Sequence, residues 1–139
     1  MKRAAILLTL VSLAFAGTAA IADDRRDAIL ADFAAQAKAA DPGFAAFSAD
    51  RGKAFWFAEH TGGKPDATSC TGCHTKDPKA KGQTRAGKEI KPMAVSKSPD
   101  RFTDPEKVAK WLLRNCTTVL GRECTPSEKG DVITFLASQ

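Results

Sequence analysis

The apolar residues of this chain fall into four regimes. Ala4 to Ala16 is a continuous run of apolar and small residues, broken only by Thr9 and Ser12. From Asp27 to Ala40, Ile29, Leu30, Phe33 and Ala37 recur at helical spacing in an alanine-rich background, which predicts a helix closed by Asp41-Pro42-Gly43. Ser48 to His60 predicts a second helix, with Ser48 as N-cap and Phe55, Trp56 and Phe57 as its apolar content. Thr75 to Thr103 carries little periodicity and is rich in Gly, Pro, Ser, Lys and Thr. So long an irregular stretch inside a small domain implies something to wrap around.

Regular structure returns at Asp104. Asp104 as N-cap and Pro105 as first helical residue open a helix that sets Val108, Trp111, Leu112 and Asn115 on one face. Gly121 follows it. Thr125 and Glu128 form a capping box for a last helix, with Pro126 at its first position and Val132, Ile133, Phe135 and Leu136 as its apolar face. No strand with convincing alternation and no internal repeat is present. The expectation is an all-α domain.

The leading run changes how the rest is counted. Lys2 and Arg3 precede it, and Ala20-Ile21-Ala22 fits a small-x-small cleavage pattern, so residues 1–22 read as a secretory signal peptide. An uncleaved anchor is the weaker reading, because the run is shorter than the ~20 residues a spanning helix needs. The mature part would be Asp23–Gln139, one small domain. The formal net charge of +5 falls to +3 once Lys2 and Arg3 are removed. The excess gathers between Lys64 and Lys91, seven basic residues against three acids. That segment is either a solvated loop or a positive collar that steers an acidic partner. Nucleic acid is an unfavoured partner, since no basic helix with interleaved aromatics appears.

Export makes free thiols an unsafe assumption for the four cysteines. Two of them belong to Cys70-Thr71-Gly72-Cys73-His74, the attachment signature for haem c. Each thiol can form a thioether with a haem vinyl group, and the adjacent His74 becomes the proximal iron ligand. A thioredoxin-like motif would need a βαβ setting, and a zinc site a second Cys/His pair, and neither is found. The remaining two cysteines become a disulfide candidate. The order of an aromatic helix with Gly52 and Phe55, then the haem motif, then a terminal helix with Phe135, resembles the class I cytochrome c fold, with Gly52 allowing a close helix crossing.

Function turns on the other side of the iron, where a strong sixth ligand makes an electron carrier and a weak one admits a diatomic gas. Met93 lies 19 residues after His74 and reads more readily as a packing residue. His60 reads as a capping or surface residue. Asn115, alone, would read as a helix C-terminal cap. Its surroundings carry more. Trp111-Leu112-Leu113-Arg114-Asn115-Cys116, Gly121-Arg122-Glu123-Cys124-Thr125-Pro126, Thr61 to Asp66, Gly82 to Arg85 with Gly87 to Ile90, and Pro99 to Asp104 together resemble the sphaeroides haem protein family, from about Arg51 onward.

That resemblance implies a monohaem c-type cytochrome with high-spin iron. It implies that Asn115 caps the ferric iron, as metal ligand and catalytic candidate, and leaves on reduction to admit oxygen or nitric oxide. It implies a disulfide between Cys116 and Cys124, and electron donation by a dihaem cytochrome c, often beside a membrane cytochrome b. Trp111 is a further cofactor-contact candidate. Arg85 and Lys88 could pair with haem propionates or be solvated. Conversion of the bound gas would make the protein an oxygen- or nitric oxide-converting oxidoreductase. The open alternatives are a low-spin electron carrier using Met93 or His60, and a gas or redox sensor domain.

Overall fold

In the computed structural model the described residues are 17–139. The expected signal segment lies outside them as far as residue 16. Five helices and one minimal hairpin make up the fold: α1 (Gly17–Ala40), α2 (Ala49–Phe57), α3 (Thr71–His74), β1 (Gly82–Gln83), β2 (Glu89–Ile90), α4 (Pro105–Leu120) and α5 (Pro126–Ala137). The domain is all-α in class.

α1 starts ten residues before the predicted Asp27, because no proline or glycine interrupts residues 18–40. Arg26, Ile29, Phe33 and Ala37 form its buried stripe. α2 ends at Phe57 rather than His60. Ala58 is already extended, with its N–H returned to the Phe55 carbonyl. The predicted caps are in place: Ser48 accepts from Arg51 N–H, Asp104 from Lys107 N–H, and Thr125 and Glu128 complete the capping box of α5.

The core has two halves that meet on α5. Ile29, Phe33, Val108 and Ile133 join α1, α4 and α5. Trp56, Val132, Phe135 and Leu136 join α2 and α5. Phe102 packs against both. Its backbone takes a φ of 63°, a costly conformation for a bulky residue.

α2 and α5 cross at Gly52. A Cβ there would lie 2.0 Å from the Asp131 carbonyl oxygen, so only glycine allows the approach. Asp131, itself buried, accepts from the Ser48 N–H and from two nitrogens of Arg51, which pins the start of α2 to α5. The sequence reading paired Gly52 with Phe55. The residue one turn on is Trp56, and it is Trp56 that is buried while Phe55 is only partly so.

The hairpin is the element that periodicity could not announce. Gly82 pairs with Ile90 and Gln83 with Glu89 in antiparallel register. Two residues per strand are too few for alternation to show. Its turn closes through Gly87 at φ 80°. The hairpin lies against α3, where a Cβ on Gly82 would meet the Cys73 carbonyl oxygen at 2.2 Å.

Candidate functional site

Cys70, Cys73 and His74 stand together because α3 is a single turn of helix. The Cys73 and His74 N–H groups both return to the Cys70 carbonyl. The segment leading into that turn is fixed at both ends. His60 N–H donates to Thr68 O, and Ala67 N–H to Lys64 O. Both cysteines are half-buried and lie outside the disulfide. Burial pushes the Cys70 thiol up to about 11. Burial, reinforced by the Arg101 cation, pushes the His74 imidazole down to about 4. His74 is therefore neutral at ordinary pH, the state that can donate a lone pair to a metal.

The His74 ring is backed by α2. Its centroid lies 5.3 Å from that of Trp56, with the planes at 35°. Trp56 in turn packs on Phe135, at 6.5 Å between centroids. Two polar atoms here, His74 Nδ1 and Trp56 Nε1, are buried with no hydrogen-bond partner among the described residues.

Asn115 and Trp111 sit one turn apart on α4, and both are exposed. The Arg114 guanidinium lies 5.4 Å from the Trp111 ring centroid. The end of α4 is anchored to the segment that leads into α3. Lys64 N–H donates to Thr118 O, and a Cβ on Gly63 would meet the same carbonyl at 2.3 Å. Gly121 caps the helix in the left-handed conformation. Cys116, directly after Asn115, is joined by a disulfide to Cys124. α4 therefore cannot slide or unwind freely at the turn that carries Asn115.

The other candidates lie elsewhere. The His60 Nε2 is 3.0 Å from the Phe55 carbonyl oxygen and its ring packs on Phe55, so it closes α2. Met93 packs in the Trp56, Val132, Phe135 and Leu136 cluster, beside Cys70. Arg85 is engaged by Asp66, its Nη1 lying 2.6 Å from both carboxylate oxygens. It does not stand as a free cation at the site. The Lys88 N–H closes the hairpin turn on the Thr84 hydroxyl.

Residues 42–136 match a family model described as "Domain of unknown function (DUF1924)". The chain is 48% identical over 131 residues to the cytochrome c-type protein SHP of Cereibacter sphaeroides, covering 94% of this chain and 96% of that protein. The crystal structure of oxidized SHP, described as an oxygen binding cytochrome c, superposes with a TM-score of 0.75 at 49% identity, covering 82% of this chain and 96% of that one. Cytochrome c'' of Methylophilus methylotrophus is 35% identical over 104 residues, 74% of this chain and 72% of that protein. Its oxidized crystal structure superposes with a TM-score of 0.72 at 31% identity, over 84% of this chain and 95% of that one.

The chain belongs to the sphaeroides haem protein (SHP) family of c-type cytochromes. Its cofactor is haem c, covalently bound. The residues of this SHP-family chain fit that group on their own terms. Cys70 and Cys73 stand one turn apart, a neutral buried imidazole follows them, and its Nδ1 and the neighbouring Trp56 Nε1 find no hydrogen-bond partner among the described residues. Sequence reasoning missed Trp56 as a member of this site. The available signal was its position one turn after Gly52, the residue that fixes the helix crossing.

Proposed function

We propose that this chain is a periplasmic, high-spin monohaem cytochrome that binds oxygen or nitric oxide at an iron held by His74 and loosely capped by Asn115. When bound, haem c supplies a one-electron redox centre and a coordination position for a diatomic gas. Cys70 and Cys73 anchor the group by thioethers, and His74 donates from its neutral imidazole. Asn115 caps the opposite face through its amide oxygen. An amide oxygen is a hard, weak-field donor that suits ferric iron better than ferrous, so Asn115 would be held more weakly by the reduced group. The Cys116–Cys124 bond keeps the surrounding helix in place while Asn115 moves. Trp111, one turn earlier on α4, covers the group beside it.

The carrying observation is 48% identity, over nearly the full length of both chains, to a protein whose crystal structure is described as that of an oxygen binding cytochrome c. A solution structure of cytochrome c'' was described as giving insight into haem-ligand detachment, which favours a displaceable ligand in this group of proteins. The low-spin alternative draws less support. The His60 Nε2 is engaged by Phe55 O, and Met93 packs against the Trp56, Val132, Phe135 and Leu136 cluster.

Residues 1–22 direct export and are removed, leaving 23–139 as the haem domain. No helix among the described residues is long and apolar enough to cross a membrane. A dihaem cytochrome c, fed by a membrane cytochrome b, supplies the electrons. The positive segment from Lys64 to Lys91 steers that partner. Turnover of the bound gas would make the protein an oxidoreductase.

Replacing Asn115 with leucine tests the cap. The haem should remain attached and the ferric absorption spectrum should change. An unchanged ferric spectrum removes Asn115 from the iron.

A further inference from the structure

A ligating histidine is ordinarily oriented through its second nitrogen, which donates to a carbonyl or carboxylate. His74 departs from that pattern. Its Nδ1 is buried with no partner among the described residues. The Pro78 carbonyl, four residues on in the chain, accepts from the Met93 and Ala94 N–H groups. The aromatic neighbour of His74 is Trp56, at 5.3 Å between centroids.

The two rings cannot satisfy each other by hydrogen bonding. If the His74 Nε2 takes the metal, Nδ1 carries the proton and is a donor. The indole N–H is a donor only. The contact is therefore one of ring faces and edges, of the kind aromatic pairs make at this separation. Trp56 is itself immobile. It is 3% exposed, packed on Phe135, and seated one turn after the Gly52 crossing.

We propose that Trp56 is the positioning residue of the proximal ligand, fixing the plane of the His74 imidazole by aromatic packing in place of a hydrogen bond. This rests on the reading of His74 as the iron ligand. It has a chemical consequence. An imidazole whose Nδ1–H meets no protein acceptor is a weaker electron donor than one polarised by a carbonyl. A weak proximal donor favours high-spin iron and a readily displaced cap on the other face.

The test is resonance Raman spectroscopy of the reduced holoprotein, following the iron–histidine stretch, with thermal unfolding measured alongside. Wild type should give one narrow band. If no such band exists, the reduced iron is not five-coordinate with a histidine ligand and the underlying functional reading fails. Trp56→Phe keeps an aromatic face and should keep the band within its wild-type width. Trp56→Leu removes that face and should broaden or split the band by more than that width. If the leucine variant does not yield folded holoprotein, Trp56→Met serves instead. The proposal is overturned if the aliphatic variant lowers the melting temperature yet leaves the band unmoved. It is also overturned if Trp56→Phe shifts the band as far as the aliphatic variant does.

Discussion

Helices α2 and α4 are built to opposite standards. Behind His74, Trp56, Phe135 and Leu136 are exposed by 3% or less, and a glycine brings α2 into backbone contact with α5. On α4, Trp111 is 50% exposed and Asn115 is exposed beside it. Val108 and Leu112 of the same helix pack into the core, so the face the sequence predicts is split, with Trp111 and Asn115 on its exposed part. α4 is also held near its end, by the disulfide, by Gly63 and Lys64 against Thr118, and by the Gly121 cap. If Asn115 caps the iron as proposed, a helix anchored near that turn would let the one side chain release without moving the backbone. A side chain that must never let go is best buried in a core.

That contrast can be broken most severely at Gly52. Gly52→Val drives a branched side chain into the Asp131 carbonyl and should cost at least about 3 kcal/mol. Melting of the haem-loaded protein should fall by about 10 °C or more. A fall of only a degree or two would mean that the crossing is not the rigid half.

The next largest effect belongs to the anchored end of α4. The double variant Cys116→Ala with Cys124→Ala releases a nine-residue loop and should lose about 2.5 kcal/mol by chain entropy. Urea unfolding measures this directly. Retention of the iron–histidine band in that variant would sharpen the contrast, because the two helices would then be shown to fail independently.

A smaller, pH-dependent effect sits at the start of α5. The Arg122 guanidinium, and then the Thr125 N–H, hold the Glu128 carboxyl below the usual carboxylate range against the cost of its burial. A depressed folded pKa means that Glu128 stabilises above its unfolded value and ceases to do so as pH falls through the folded one. Glu128→Gln keeps the reach to the N-cap and loses the charge. Its melting deficit should be present at pH 7 and shrink as pH falls below the ordinary carboxylate range. A deficit that stays constant with pH would assign the effect to packing.

The smallest change in stability is expected at the cap itself. Asn115 is exposed, so Asn115→Ala should shift unfolding by less than about 0.5 kcal/mol while altering the ferric spectrum. A large loss of stability there would place Asn115 in the structural half of the molecule.

The sequence was informative where the signal is local. The capping box at Thr125 and Glu128, the Asp104-Pro105 start and the haem motif each need only a few adjacent residues. The all-α class followed from the same periodicities. Selection between neighbours was harder. Phe55, Trp56 and Phe57 are all apolar, and only the crossing geometry at Gly52 decides which is buried. The β1–β2 hairpin has too few residues to alternate. Arg85 could not be assigned from sequence, because its partner Asp66 lies 19 residues away. Asn115 is marked out only by the family resemblance that the segments around it carry, not by any property of an asparagine in a helix. The unpartnered nitrogens of Trp56 and His74 have no sequence signature at all. They emerge only when every buried donor is matched against an acceptor in three dimensions.

The most direct measurement is the optical spectrum of the wild-type holoprotein in both oxidation states, with carbon monoxide added to the reduced form. Iron gripped by His74 and only loosely covered by Asn115 should be high-spin when ferric and should take up carbon monoxide at once when reduced. A low-spin spectrum in both states, indifferent to carbon monoxide, would mean a strong ligand on each side and leave the protein a simple electron carrier.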